Sequence, residues 1–246
     1  MIRCVDCHSH ILPRVDDGSR SVLESMEMLR MEAQQGIRRV IATPHFYAHS
    51  DTPGRFLRRR EEAWASLKRA MAGDPELPKV TLGAEVYYFP GMSETEALSE
   101  LTFGGKRFIL IEMPHAPWTQ SMYREMEAIY VKRGITPIIA HIDRYIAPLQ
   151  THGIPKRLET LPVLVQANAE FFLSRRTAGM ALRMLQADQI HLLGSDCHNL
   201  TSRKPEMGAA LERIEERMGR HALRRIREYE KLIFDKQNFR NGERTL

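Results

Sequence analysis

No stretch of about 18 apolar residues occurs in this chain of 246, so nothing in it can span a bilayer as a helix. No signal-peptide core is present either: Met1-Ile2-Arg3-Cys4-Val5-Asp6 meets charge and then histidine at once, which sets a cytoplasmic location as the expectation. Cysteine is scarce, and three in a chain this long exclude a disulfide framework. Cys4 and Cys7 stand in a Cys-x-x-Cys. They fall in a strand-like segment where residues three apart point to opposite faces, so shared metal binding or thiol chemistry is not expected of them. Internal repeats, low-complexity tracts and Pro/Gly linkers are also missing, which removes solenoids and two-domain arrangements and leaves one domain over residues 1–246, with the polar end Asn238–Leu246 expected to fray.

The net charge of +5 comes from 36 Lys and Arg against 31 Asp and Glu, with local excess at Arg55, Arg58, Arg59 and Arg60 and at Arg217, Arg220, Arg224, Arg225 and Arg227. Neither cluster carries the interleaved aromatics of a nucleic-acid platform, so both read as solvated helix faces and no nucleic-acid partner is expected.

Short apolar runs alternate with amphipathic ones from end to end. Strands are expected at Arg3–Cys7, Arg39–Thr43, Val80–Glu85, Phe108–Glu112, Thr136–His141, Val163–Ala167 and Ile190–Gly194. Between them lie helical stripes. Val22, Met26, Leu29 and Ala33 stop at Gly36, Met122, Met126, Ile129 and Tyr130 close at Gly134, and Met207, Leu211, Ile214 and Met218 end before Gly219. Buried strands alternating with helices require a parallel sheet, and seven such units predict an α/β fold of the distorted (β/α)7 TIM-like barrel type.

Position then singles out the chemistry. The strands exit into His8-Ser9-His10 with Asp16-Asp17-Gly18, into His45, Glu85, Glu112 and His141, and into Asp196-Cys197-His198. In a parallel barrel those exits converge on one mouth. One histidine or carboxylate there is unremarkable; a set of five histidines and four carboxylates needs compensation for its burial, and divalent cations supply it. Imidazole and carboxylate suit Mn, Fe or Zn, and nine ligands exceed what one ion takes, so two or three ions are implied, with a carboxylate such as Glu85 bridging. Clustered ions of this kind favour phosphoryl or hydrolytic chemistry.

The segments Asp6-Cys7-His8-Ser9-His10-Ile11-Leu12-Pro13, Asp16-Asp17-Gly18-Ser19, Ala42-Thr43-Pro44-His45-Phe46, Gly83-Ala84-Glu85-Val86-Tyr87, Glu112-Met113-Pro114, Ala140-His141-Ile142-Asp143-Arg144-Tyr145 and Gly194-Ser195-Asp196-Cys197-His198-Asn199 resemble the PHP (polymerase and histidinol phosphatase) superfamily. Within it, they are most similar to the bacterial manganese-dependent protein tyrosine phosphatases of the CpsB/YwqE type, linked to capsule and exopolysaccharide synthesis. The resemblance implies three metal positions, with Mn²⁺ foremost and Fe or Zn as alternatives. His8, His10, Glu85 and Asp196 would hold the first; Glu85, Glu112 and His141 the second; Asp17, His45 and His198 the third. It further implies that Arg144 and Arg203 grip the phosphate, and that the substrate is a phosphotyrosine protein such as a bacterial tyrosine kinase tail. Ile142-Asp143 stands where the family usually has Pro-Glu, which touches local loop geometry and not the ligands.

Other readings compete. Cys197 and Arg203 have the Cys-x5-Arg spacing of cysteine-dependent phosphatases, without the glycines such a phosphate cradle uses. Histidinol-phosphate phosphatase is the alternative of like chemistry, a nuclease a further one, and an inactive phosphoprotein-binding module the alternative of another class. His49, His115, His152, His191 and His221 read as surface or satisfied histidines, Asn168 as a helix cap, and Phe46 and Tyr47 as either core or the wall of an aromatic pocket.

Overall fold

The computed structural model describes residues 4–105, 107–146 and 153–234. Its strands are β1 (Val5–Ser9), β2 (Arg39–Ala42), β3 (His45–Phe46), β4 (Lys79–Leu82), β5 (Glu85–Tyr87), β6 (Phe108–Glu112), β7 (Thr136–Ile139), β8 (Leu164–Asn168) and β9 (Leu192–Gly194). Every pairing is parallel, in the orders β1-β2-β4 and β3-β5-β6-β7-β8-β9. The ring closes between its first and last strands through the Ser9–Cys197 bridge, with Asp196 N donating to His8 O at 2.8 Å and His10 N to Cys197 O at 2.9 Å.

β2 and β3 are two segments of one stave, and so are β4 and β5. The nine strands therefore make the seven staves expected, a distorted (β/α)7 barrel. The expected single strand Val80–Glu85 is broken in the structure, and His45–Phe46 is a strand where none was expected. Pro44 has no N–H to give, so the ladder loses one bond there, while Gly83 N bonds Ala42 O and Glu85 N bonds Pro44 O. The register runs on unshifted, from Ala42 beside Leu82 to His45 beside Glu85.

Alternation along the staves separates two cores. Val5, Cys7, Phe108, Leu110, Ile138, Leu164 and Leu192 cluster together inside the barrel, whereas Cys4, Ile109, Ile111, Ile139, Val165 and Leu193 join the layer beneath the helices. Cys4 and Cys7 thus lie on opposite faces, both as free thiols.

The outer layer includes α1 (Val22–Gln34), α2 (Pro53–Met71), α3 (Gln120–Arg133), α4 (Asp143–Ile146), α5 (Gly153–Leu158), α6 (Ala169–Leu173), α7 (Ala178–Gln186), α8 (Met207–Met218) and α9 (Arg220–Phe234). Ser21 caps α1 by accepting from Glu24 N, Pro53 follows the Thr52 cap of α2, and Gly134 ends α3 in the left-handed region at φ 63°. Among the described residues no helix is long and apolar enough to cross a membrane. The basic clusters are mostly solvated as expected. Arg60 departs from that: it is buried and donates to Gly83 O and Glu100 O. Asn238–Leu246, His152 and the Arg3 start of the first expected strand lie outside the described residues.

Candidate metal centre at the barrel mouth

The C-terminal ends of the staves bring all nine candidate ligands together. β1 delivers His8 and His10 on a backbone pinned by Ser9, whose N–H donates to Thr43 Oγ1 and whose hydroxyl donates to Ile41 O. Their Nε2 atoms stand 3.1 Å apart. Glu85 Oε2 lies 3.2 and 3.3 Å from the two nitrogens, and Asp196 Oδ1 lies 3.6 and 3.5 Å from them.

The outer ring nitrogens fix the tautomers. His8 Nδ1 is 3.2 Å from Gln166 Oε1, and His10 Nδ1 is 2.6 Å from Asp16 Oδ2. Both partners are acceptors, so each Nδ1 carries a proton and each Nε2 faces inward. Two imidazole nitrogens and two carboxylate oxygens then face one point, a donor set that suits a divalent cation.

Two further groups adjoin it. His141 Nε2 is 2.8 Å from Glu85 Oε1 and 3.7 Å from Glu112 Oε1, while His45 Nδ1 is 2.9 Å from Glu85 Oε2 and 4.0 Å from Glu112 Oε2. That 2.9 Å approach is off the line of a hydrogen bond, and both atoms are buried without a hydrogen-bond partner. Asp17 Oδ1 lies 3.5 Å from both His45 Nε2 and His198 Nε2, and the His10 ring packs at a tilt against His198, centroids 3.9 Å apart. His198 Nδ1 is engaged by Asp196 O at 2.9 Å, which leaves the buried Nε2 unpartnered and aimed at the same region.

The geometry therefore brings together the three implied groups and overlaps them. His45 reaches Glu85 and Glu112 as well as Asp17, and His10 joins the Asp17–His45–His198 group. Glu85 touches every histidine of the site except His198.

Electrostatics follow. Glu85 is fully buried, yet His8, His10, His141 and His45 hold its carboxyl well below the usual range. Asp196 is likewise held low by His8 and Arg144. Burial pushes His8 and His10 down, but Glu85 and Asp196 outweigh it for His8, and Asp16 and Glu85 for His10. Glu112, buried beside the Glu85 charge, rises to about 7, and burial lowers His141 and His198 to about 4.

His141 and Asp196 are held at φ 29° and 53°, a left-handed conformation that non-glycine residues adopt at a cost of about 1–3 kcal/mol. Two glycines permit the close packing. A Cβ on Gly18 would lie 2.3 Å from His10 O, and one on Gly194 would lie 2.5 Å from His8 Cβ.

At the rim, Arg144 and Arg203 each donate to Asp196, Arg203 Nη2 at 2.8 Å from Oδ1 and Arg144 Nη2 to Oδ2. Asn199 positions Arg203 by accepting from its N–H at 3.1 Å. A cavity of about 230 Å³ opens beside the centre, lined by Asp17, His45, Tyr47, Asp51 and Arg59 among others. Tyr47 stacks on His45 at 5.2 Å with Tyr87 beyond it, whereas Phe46 packs into the core on Phe56.

Cys197 is buried, its thiol pushed well above the usual range by burial and by Asp6 and Glu32, which argues against a thiolate nucleophile. Asn168 stands at the N-cap position of α6, as expected, but its side chain makes no capping bond: its Nδ2 donates to Asp196 Oδ2 at 3.1 Å, bracing a candidate ligand. Asp143, at the departure from the Pro-Glu pattern, accepts the Asn168 amide at 3.0 Å. Gln166 and the orienting role of Asp16 were not foreseen. Asp16 sat next to a candidate ligand and was legible; Gln166 carried no signal.

The family model for capsular polysaccharide synthesis, CpsB/CapC, matches residues 4–231. The chain is 29% identical over 225 residues to the tyrosine-protein phosphatase CpsB of Streptococcus pneumoniae, covering 87% of this chain and 91% of that protein. It is also 29% identical over 225 residues to the tyrosine-protein phosphatase YwqE of Bacillus subtilis strain 168, covering 87% and 85%. Among solved structures, it superposes with a TM-score of 0.82 at 24% identity, covering 98% and 99% of the two chains, on a structure from work on B. subtilis YwqE and S. pneumoniae CpsB, described as unique metal-dependent tyrosine phosphatases. A phosphotriesterase homology protein from Escherichia coli, complexed with phosphate in its active site, shares the fold at a TM-score of 0.52 and 14% identity, covering 93% and 98%.

Proposed function

The chain belongs to the CpsB/CapC family of capsular polysaccharide synthesis, and from that premise and the geometry of its barrel mouth we propose that it is a metal-dependent protein tyrosine phosphatase. One observation carries the reading: the Nε2 atoms of His8 and His10 stand 3.1 Å apart with Glu85 and Asp196 closing around them. His8, His10, Glu85 and Asp196 would hold one divalent ion; Glu85, Glu112 and His141 a second; Asp17, His45 and His198 a third, with Mn²⁺ the first choice and Fe or Zn the alternatives. When bound, such ions lower the pKa of water and neutralise charge on phosphoryl oxygens.

The chain's own residues do the rest. Gln166 and Asp16 hold His8 and His10 in the Nδ1–H tautomer, so the ligand lone pairs are preset. Arg144 and Arg203, about a third exposed at the rim, orient a phosphate through their planar donor forks. Tyr47 and Tyr87 offer a wall to the phenyl ring of the substrate. The leaving group is a phenol with a pKa of about 10, so it departs with little need for a general acid. The substrate is phosphotyrosine on a protein, a bacterial tyrosine kinase tail in capsule or exopolysaccharide synthesis.

Initial rates on a phosphotyrosine peptide and on histidinol phosphate, with Mn²⁺ or EDTA, test this for wild type and His8→Ala. Turnover that favours the peptide, needs Mn²⁺ and is lost in His8→Ala is expected. Preference for histidinol phosphate would reassign the substrate, and EDTA-insensitive turnover would overturn the mechanism.

A further inference from the structure

Beneath the centre lies a buried acid pair that the mechanism does not use. Glu32, on α1, is fully buried, and among the described residues no amide or basic side chain donates to either carboxylate oxygen. Asp6, on β1, is also fully buried, and the ligating atoms of Asp6, Glu32 and Cys197 lie within 4.8 Å of one another. Three donors reach Asp6: Oδ1 accepts Ser195 N at 2.9 Å and His8 N at 3.1 Å, and Oδ2 accepts the Ser195 hydroxyl at 2.5 Å. Ser195 Oγ in turn accepts Cys197 N at 3.1 Å.

We propose that Glu32 is a positioning residue for the metal centre: as a neutral acid it donates to the Asp6 carboxylate, and Asp6 locks the backbones that carry His8 and Asp196. Two ionised carboxylates in mutual contact in a dry interior repel, so one proton between them is required. The donors decide where it sits. Three donors hold Asp6 as the carboxylate, and among the described residues none reaches Glu32, so the proton sits on Glu32. A cation is a poor substitute, because three donors already occupy Asp6 and leave it one acceptor site, which suits a single O–H. The relay reaches the ligands directly. Asp6 ties the amide of His8 to that of Ser195, next in chain to Asp196, and the Asp196 amide returns to His8 O at 2.8 Å. The spacing of His8 and Asp196 across the barrel seam thus depends on a carboxylate that Glu32 holds from behind.

The inference rests on the ligand reading above, and its test separates the two. Metal-free wild type, Glu32→Gln and Glu32→Met are titrated calorimetrically with Mn²⁺, and kcat and KM are measured on a phosphotyrosine peptide at saturating Mn²⁺. Gln keeps a donor and is expected to bind Mn²⁺ within about threefold of wild type; Met fills the space without a donor and is expected to bind about 10–100-fold more weakly, with KM for the peptide unchanged once metal saturates. A Met variant that binds Mn²⁺ like wild type, or a Gln variant as damaged as Met, overturns the proposal. So does a Met variant that fails to fold while Gln folds, since that makes the role fold-wide. Wild type that binds no Mn²⁺ refutes the ligand reading itself.

Discussion

Replacing Gly194 by alanine is the sharpest probe of how the centre is held. Its added Cβ would lie 2.5 Å from His8 Cβ, 2.8 Å from Gln166 Nε2 and 3.0 Å from His8 N. Carbon atoms rest at about 3.5–4.0 Å, so the contact is relieved only by about 1 Å of movement. His8 cannot retreat freely, because its ring is tied to Gln166 and its backbone to Asp6 and Asp196. Gln166 is struck as well, and it also accepts the His141 amide at 2.7 Å. A misplacement of about 1 Å costs on the order of 100-fold in rate, and overpacking of this kind costs about 1–3 kcal/mol of stability. The assay is kcat/KM on a phosphotyrosine peptide at saturating Mn²⁺, with Tm measured in parallel. Gly54→Ala is the control: its Cβ meets nothing within 4 Å, so activity should hold. Gly194→Ala with wild-type kcat/KM would refute the claim that close approach of β9 to β1 sets the His8 position.

Two more expectations follow from buried groups. Cys197→Ala should keep Mn²⁺-dependent turnover within about threefold, because the buried thiol is no nucleophile; turnover abolished with Mn²⁺ binding intact would revive the cysteine mechanism. Glu230 is 4% exposed at the opposite end of the barrel, accepts Val5 N at 2.9 Å, and is raised by burial to about 7. Its folded pKa exceeds its unfolded one, so the folded state binds the extra proton and stability is lost as pH rises through about 7. From 4.5 to about 7, at roughly 1.4 kcal/mol per pH unit, the loss is about 3 kcal/mol. Glu230→Gln should therefore raise Tm by roughly 6–12 °C at pH 8.5 and leave it unchanged at pH 4.5; an equal shift at both pH values would discard the titration account.

The barrel was legible because its signal is local. Phe108–Glu112 is a continuous apolar run flanked by helical stripes, and the structure keeps both its bounds. The gathering of the candidate ligands was legible for a different reason: all but Asp17 stand at or just past the point where a strand stops, and a parallel ring gathers its strand ends whatever the loops between them do. The errors are local as well. Val80–Glu85 read as one strand because its apolar pattern is unbroken, while the interruption comes from Pro44 on the neighbouring stave, a partner that periodicity along one strand cannot reveal.

What the sequence hides is the layer that aims the ligands. Gln166 orients His8 across 158 residues of chain, and Ser195 meets Asp6 across 189. Gln166 sits in an otherwise apolar strand, and Glu32 sits in a helical stripe where a glutamate reads as solvated. Both become visible only when the fold shows that they are buried, and their partners then define their roles. Gln166 faces an imidazole that needs an acceptor; Glu32 faces a carboxylate already supplied with donors. The two cases invert the usual inference from burial. A buried polar group with every bond made speaks of packing, whereas one that faces another acid, two residues along the strand from a candidate ligand, speaks of a proton held in place for the site above it.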